Sequence, residues 1–128
     1  MNNVDFSVLV GNTIESITGK KGDNEILFKM SNGSIYKMYH EQDCCESVYV
    51  EDIIGDWESI IGTPVLKAEE STNSDNPINV EWDESFTWTF YHIVTFNGSV
   101  TIRWYGTSNG YYSESVDFEE MKGELIEP

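Results

Sequence analysis

The sequence contains few positively charged residues. The chain carries 7 Lys and Arg residues against 23 Asp and Glu residues, which gives a formal net charge of −16. Proteins that bind phosphate backbones or anionic lipid surfaces place several cations in one stripe. We therefore expect neither a nucleic-acid partner nor a membrane partner, whereas a basic protein or a cation fits the charge.

The sequence also lacks long apolar segments and the motifs of well-known enzyme classes. No segment approaches the ~18 apolar residues of a membrane span, and the opening MNNVDFSVLV lacks the basic residues and the apolar core of a signal peptide. The motifs G-x-S-x-G, G-x-x-x-x-G-K-[ST], H-E-x-x-H and G-x-G-x-x-G are all missing. We therefore expect a non-enzymatic protein of the cytoplasm that binds no cofactor.

Apolar residues are present in the amounts typical of a folded domain. Hydrophobic residues make up 39% of the chain and aromatic residues 13%, which excludes a disordered acidic tail. At 128 residues, two domains would each have too small a core. Residues 1–128 are expected to form a single domain.

Three Asn-Gly pairs predict β-hairpins, because a type I′ turn needs positive φ at both central residues. They are Asn32-Gly33, Asn97-Gly98 and Asn109-Gly110, and strand-like runs rich in β-branched and aromatic residues flank each of them. Two-residue loops at these pairs would fix the strand registers. The predicted neighbours are Glu25 and His40 in the first hairpin, Tyr91 and Trp104 in the second, and Val116 and Arg103 in the third.

One short helix and one long loop complete the predicted architecture. Asp56 is a suitable N-cap for a helix near residues 56–61, and Gly62 and Pro64 would end it. Residues 69–84, EESTNSDNPINVEWDE, are polar and acidic and predict a loop. The fold class is therefore α+β and mainly β, with an antiparallel sheet of five to seven strands built from Asn-Gly hairpins.

The densest group of metal-ligand side chains lies within seven consecutive residues. Imidazole, carboxylate and thiolate groups can all bind zinc, but a second Cys pair at zinc-site spacing is absent from the sequence. A second interpretation is structural: the two cysteines are small, partly buried residues at a strand end, and the histidine bonds to Glu25. A third is a reactive thiol, against which the neighbouring acids oppose thiolate formation. A disulfide between the two adjacent cysteines would need a strained local geometry. The metal candidates are His40, Asp43, Cys44, Cys45 and Glu46.

The one arginine, Arg103, is a candidate anion ligand on the predicted sheet. A guanidinium can bind an anion bidentately, or it can form a structural ion pair, for which Glu114 is the predicted neighbour. The small-ligand site that would form around it consists of Arg103, His92, Trp88, Tyr105 and Tyr112.

The acidic residues fall into two sequence clusters. Duplex DNA carries one charge per about 1.7 Å, so about 27 Å of duplex matches the net charge of the chain. Gathered on one face, these acids would form an interface for a basic protein; spread evenly, they would serve solubility. The interface candidates are Glu69, Glu70, Asp75, Glu81, Asp83 and Glu84 in one cluster and Glu114, Asp117, Glu119 and Glu120 in the other.

The segment His40-Glu41-Gln42-Asp43-Cys44-Cys45-Glu46 and its continuation to Asp56 resemble the signature of a family of small uncharacterised phage and prophage proteins. The segment 101–113, TIRWYGTSNGYYS, resembles the same family. The likeness extends from about Ser34 to Phe118, and H-x-Q-D-C-C-E is its most specific part. The resemblance implies a phage or prophage protein in a bacterial cytoplasm and implies no activity.

Charge and resemblance together lead to one expected function. The chain is expected to be an accessory protein that binds a basic host protein, such as a defence factor or a nuclease, through an acidic surface that mimics DNA. The alternative is a small-ligand module for a nucleotide or a metal, built on residues 40–46 or on Arg103 and the sheet aromatics.

Overall fold

A computed structural model describes residues 4–42, 44–74, 77–78, 85–110 and 113–121 as two four-stranded antiparallel sheets. The first sheet has the strand order β1-β2-β3-β8 and the second has the order β4-β7-β6-β5. The strands are β1 (Ile14–Thr18), β2 (Glu25–Met30), β3 (Ile35–Tyr39), β4 (Ser47–Ile54), β5 (Val65–Asn73), β6 (Ser85–Thr95), β7 (Gly98–Ser108) and β8 (Asp117–Met121). The prediction of a mainly β, antiparallel fold is confirmed, although the strands divide between two sheets.

The two sheets pack face to face around one apolar core. Alternate residues of each strand point inward, as the period of two in a pleated strand requires, so Phe28 and Met38 of the first sheet share a cluster with Ile93 and Trp104 of the second. Trp104 is fully buried, and its indole Nε1 donates to Met38 Sδ at 3.2 Å. This contact connects the middle of one sheet to the middle of the other.

The first hairpin differs from its predicted register by one residue. Gly33 has a φ of 94° and its amide donates to the carbonyl of Met30, so Ser31, Asn32 and Gly33 form a three-residue loop. Glu25 therefore faces Tyr39 instead of His40. A shift of one residue reverses the faces of a strand, and so β3 buries Tyr36 and Met38 on the core side.

The second hairpin keeps its predicted faces, whereas the third does not form. The loop between β6 and β7 consists of Phe96 and Asn97, which moves the register by two residues, so that Tyr91 pairs with Ile102. After Ser108 the chain leaves the second sheet, and β8 pairs with β3 of the first. The predicted placement of Val116 beside Arg103 is therefore wrong.

The predicted helix and acidic loop are both shorter than expected. Phe6–Leu9 forms a 3-10 turn, η1, and Trp57–Ile60 forms a second, η2, which follows the unpredicted strand β4. Residues 69–73 of the expected loop continue β5 to Asn73. Most of the rest of that loop lies outside the described residues.

Candidate functional site

Residues 40–46 connect the two sheets, because they join the end of β3 to the start of β4. His40 and Glu46 stand at the two ends of this connection, and their side chains are 3% and 0% exposed. His40 Nε2 lies 2.6 Å from Glu46 Oε2, and His40 Nδ1 lies 2.7 Å from the carbonyl oxygen of Ser115. The predicted partner of His40, Glu25, is therefore wrong, because the register of the first hairpin places Glu25 opposite Tyr39.

The backbone of the connection is held by side chains of the same motif. The second carboxylate oxygen of Glu46 accepts from the amide of Cys44 at 3.0 Å. Gln42 Nε2 donates to the carbonyl of Glu46 at 2.8 Å and to that of Cys44 at 3.3 Å. We name these contacts among His40, Gln42, Cys44 and Glu46 the motif clamp. It leaves both ring nitrogens of His40 and both oxygens of Glu46 engaged with protein atoms.

Cys44 and Cys45 are exposed, and a disulfide joins their sulfur atoms. The expectation of two partly buried thiols is therefore wrong. Disulfide sulfurs are not thiolates, and thiolate is the form that binds metal. Asp43, the remaining metal candidate, lies outside the described residues. Among the residues that the structure describes, no three His, Cys, Asp or Glu side chains are grouped to hold a metal ion.

Arg103 lies on the outer face of the second sheet and is held by two carboxylates. Its Nε donates to Glu51 Oε1 at 2.7 Å, and its Nη2 lies 3.5 Å from Asp52 Oδ2. A β-bulge in β4 between Val50 and Asp52 brings both acids to the same arginine. Glu114, the predicted neighbour, is not a partner of Arg103. The third hairpin that would have placed it there does not form, because the chain leaves the second sheet after Ser108.

The aromatic candidates share this face with Arg103. The Trp88 and Tyr105 rings are 4.4 Å apart between centroids, and the guanidinium lies 5.5 Å from the Trp88 ring. His92 Nδ1 lies 2.8 Å from Thr101 Oγ1. The structure places these four side chains on one face of the second sheet, and Tyr112 lies outside the described residues. An anion at this face would have to displace Glu51 and Asp52 from the guanidinium.

The two acidic clusters meet at a seam between the sheets. Glu69 and Glu70 lie on β5, the edge strand of the second sheet, and Asp117 begins β8, an edge strand of the first. Residues 4–10 bridge these edges: the amide of Val4 donates to the carbonyl of Phe118, and Val10 pairs with Val65.

Partial burial, and after it neighbouring negative charges, perturb the carboxylates of this seam. Burial raises the pKa of Glu70, and the charges of Asp5 and Asp117 raise it further, against the hydrogen bond from Tyr91. Burial also raises the pKa of Asp117, with Glu41 adding to the effect and His40 opposing it. Residues far apart in the sequence therefore act on one another across the seam.

Three hollows follow the seam and share lining residues. The largest, of about 670 Å³, lies between residues 5–7 and β5, and Glu70 and Thr72 connect it to the second, of about 320 Å³. Ser113 and Ser115 connect the second to a third of about 410 Å³, beside His40 and Gln42. We name this row the acidic groove. Its carboxylates are Asp5, Glu41, Glu69, Glu70, Glu114 and Asp117.

Some of the predicted acidic residues that the structure describes line the groove, and others do not. Glu114 lines the groove, but its carboxylate also accepts from Thr87 Oγ1 at 2.7 Å and Ser108 Oγ at 2.6 Å. Glu119 lies on the outer face of the first sheet opposite Lys37, and Glu120 lies opposite Tyr36. Asp75, Glu81, Asp83 and Glu84 lie outside the described residues.

Sequence analysis missed two carboxylates of the groove, Asp5 and Glu41. Asp5 stands alone in the N-terminal segment, and Glu41 lies between the metal candidates His40 and Asp43 without being one of them. No local sequence pattern identifies these two residues as part of the groove. Their place in it depends on how the edges of the two sheets come together.

A family model described as Domain of unknown function (DUF7448) matches residues 7–118, and the chain belongs to this family. No curated protein and no solved structure matches the chain. The helices in the described part of the chain are single turns, and none of them could cross a membrane.

Proposed function

We propose that this member of the DUF7448 family is a non-enzymatic binding protein whose acidic groove takes a basic segment of a partner protein. One observation carries the proposal: two acidic clusters that are distant in sequence line one groove, together with Asp5 and Glu41. Among the described residues that line the groove there is no Lys or Arg, although Lys67 Nζ beside it lies 3.6 Å from Glu69 Oε2.

The chemistry of the groove suits Lys and Arg side chains. Carboxylates and serine and threonine hydroxyls alternate along it, and charge-assisted hydrogen bonds from guanidinium or ammonium groups are the strong ones. The free groove also holds like charges close together: burial is the main cause of the raised pKa values of Glu70 and Asp117, and neighbouring carboxylates add to both. A basic partner would relieve this repulsion, which favours binding and increases its rate.

The resemblance to phage and prophage proteins extends the proposal to the kind of partner. The partner would be a bacterial host protein of the cytoplasm that is basic because it binds nucleic acid, such as a nuclease or a defence factor. The groove would then occupy the site on that protein that normally takes DNA, and duplex DNA would compete with this chain for the partner.

The test compares two triple variants that change the net charge by the same amount. In the groove variant three exposed carboxylates of the groove become lysine; in the control variant three exposed carboxylates that do not line it become lysine. The groove set is Glu41→Lys, Glu69→Lys and Glu70→Lys, and the control set is Glu15→Lys, Asp56→Lys and Glu58→Lys.

Binding of a fluorescent deca-arginine peptide is measured by anisotropy for the wild type and both variants. We expect the groove variant to lose most of the affinity and the control variant to keep most of it. Raising the salt from about 0.1 M to about 1 M shortens the Debye length from about 10 Å to about 3 Å and should release the peptide from the wild type. Equal losses of affinity in both variants would show that only net charge matters and would contradict binding of the peptide in the groove.

Affinity capture from bacterial lysate extends the test from a peptide to the partner. The three proteins are used as bait, and the basic proteins of interest are those held by the wild type and the control but not by the groove variant. Release of such a protein by added duplex DNA would support DNA mimicry. Continued binding at saturating DNA would restrict the proposal to an interface away from the partner's DNA site.

A further inference from the structure

The motif clamp holds a reactive group at the surface. His40 and Glu46 are buried. Cys44 and Cys45 lie between them, are joined by a disulfide, and are exposed. The motif therefore divides into a buried frame and an exposed disulfide. A frame of this kind is what a preorganised reactive site requires.

The clamp holds the backbone of Cys44 without using either sulfur atom. The amide of Cys44 donates to Glu46, and its carbonyl accepts from Gln42. The ring of His40 fixes Glu46 from the other side and is itself fixed by the carbonyl of Ser115. The loop can therefore keep its place when the bond between the sulfur atoms opens.

The bond itself adds little to the folded state. A disulfide stabilises a protein by closing a loop in the unfolded chain, and the effect grows with the length of that loop. Cys44 and Cys45 are adjacent, so the loop contains no intervening residue. An exposed disulfide that is not needed for folding is of the labile or regulatory kind.

We propose that Cys44 and Cys45 form a site of reversible thiol–disulfide exchange with a dithiol reductant. A thiolate of the reductant attacks one sulfur of the pair, forms a mixed disulfide and releases the other sulfur as a thiolate, which takes up a proton. The second thiol of the reductant then attacks the mixed disulfide. Two electrons and two protons pass from the dithiol to the cysteine pair, and the reductant leaves as a disulfide.

The compartment and the groove both bear on this exchange. In a reducing cytoplasm, protein disulfides are transient and serve catalysis or redox sensing. Gln42 and His40 of the clamp line the third hollow of the acidic groove. The exchange site therefore stands at one end of the groove, and it functions as a redox site whether or not the groove binds a basic segment.

The test counts free thiols in the native protein. The chain contains 2 cysteines, so an intramolecular disulfide can only be this one, and alkylation followed by mass spectrometry reads the site directly. Protein purified without reductant should take up no alkylating reagent, and native protein treated with dithiothreitol should take up two equivalents. Removal of the reductant and addition of excess oxidised glutathione, a stronger oxidant than oxidised dithiothreitol, should restore the unreactive form.

Thermal unfolding with and without dithiothreitol is the second measurement, and we expect the same midpoint in both. Three results would overturn the proposal. They are free thiols that excess oxidised glutathione cannot join, a disulfide that is reduced only after unfolding, and a marked loss of stability on reduction. The variants Cys44→Ser and Cys45→Ser serve as controls, because under oxidant they can form only intermolecular disulfides.

Discussion

At the scale of single residues, the H-x-Q-D-C-C-E motif describes a set of contacts. His40 and Glu46 bond to each other, and Gln42 bonds to the backbone of the loop between them. The sequence identified this segment as chemically dense, but it could not identify the partners. Ser115, which fixes the ring of His40, is 75 residues away in the chain, and its position depends on the whole fold.

Removing the carboxylate of Glu46 should destabilise the protein strongly. Glu46→Ala leaves the buried imidazole of His40 without its partner, at about 1–3 kcal/mol for a buried group left unpaired, and removes the acceptor of the Cys44 amide. Urea unfolding measures the loss. The control Glu58→Ala removes an exposed carboxylate and should change the free energy of unfolding by less than about 0.5 kcal/mol. Similar losses in the two variants would contradict the buried clamp.

At the scale of strands and turns, the sequence predicted the elements better than their pairing. The Asn-Gly pairs do mark turns at Gly33 and Gly110, where φ is 94° and 97°. However, the same dipeptide fits a two-residue loop and a three-residue loop with a left-handed glycine. The choice between them depends on which side chains of β3 the core accepts, and a local pattern does not contain that information.

Two glycines with positive φ provide a matched test of how closely the strand ends pack. Gly55 and Gly62 have φ of 111° and 94°. A Cβ at Gly55 would lie 2.7 Å from the carbonyl oxygen of Ser99, whereas one at Gly62 would meet nothing within 4 Å. Both alanine variants incur the cost of a left-handed conformation, so Gly55→Ala should destabilise the protein by about 1–3 kcal/mol more than Gly62→Ala. Equal unfolding midpoints for the two variants would refute this packing.

At the scale of the whole molecule, the most important feature is the connection from β7 to β8, which takes the chain from the second sheet to the first. Sequence reasoning placed residues 113–118 in a third hairpin, because successive strands usually pair and Asn109-Gly110 is a strong turn signal. β8 instead pairs with β3 and brings Asp117 to the same seam as Glu70. The two acidic clusters could be found from the sequence, but their meeting could not.

The burial of Glu70 at this seam, with Asp5 and Asp117 nearby, gives the stability of the molecule a defined pH dependence. The pKa of Glu70 is raised above its ordinary 4.5 on folding, so the folded state binds more protons than the unfolded state between the two values. Stability therefore rises as the pH falls through the raised pKa. At neutral pH, Glu70→Gln should stabilise the protein by up to about 0.5 kcal/mol, and this gain should disappear below 4.5.

Urea unfolding of wild type and variant across the acidic range measures this difference. The control is Glu69→Gln on the same strand. It removes a carboxylate whose oxygen lies 3.6 Å from Lys67 Nζ, and it should gain no stability. A gain from Glu70→Gln that stayed constant down to the most acidic pH would be inconsistent with a raised pKa of Glu70.

The acidic residues of β5 also affect whether copies of this protein associate with one another. An edge strand exposes unpaired amides and carbonyls that can recruit a strand from a second molecule, and charged side chains are a common protection against such aggregation. Glu69 and Glu70 lie on the exposed part of β5, so two copies that approach edge to edge bring like charges together. Replacing several of these acids with neutral residues would remove that protection, and the resulting protein would be expected to form fibres or precipitate.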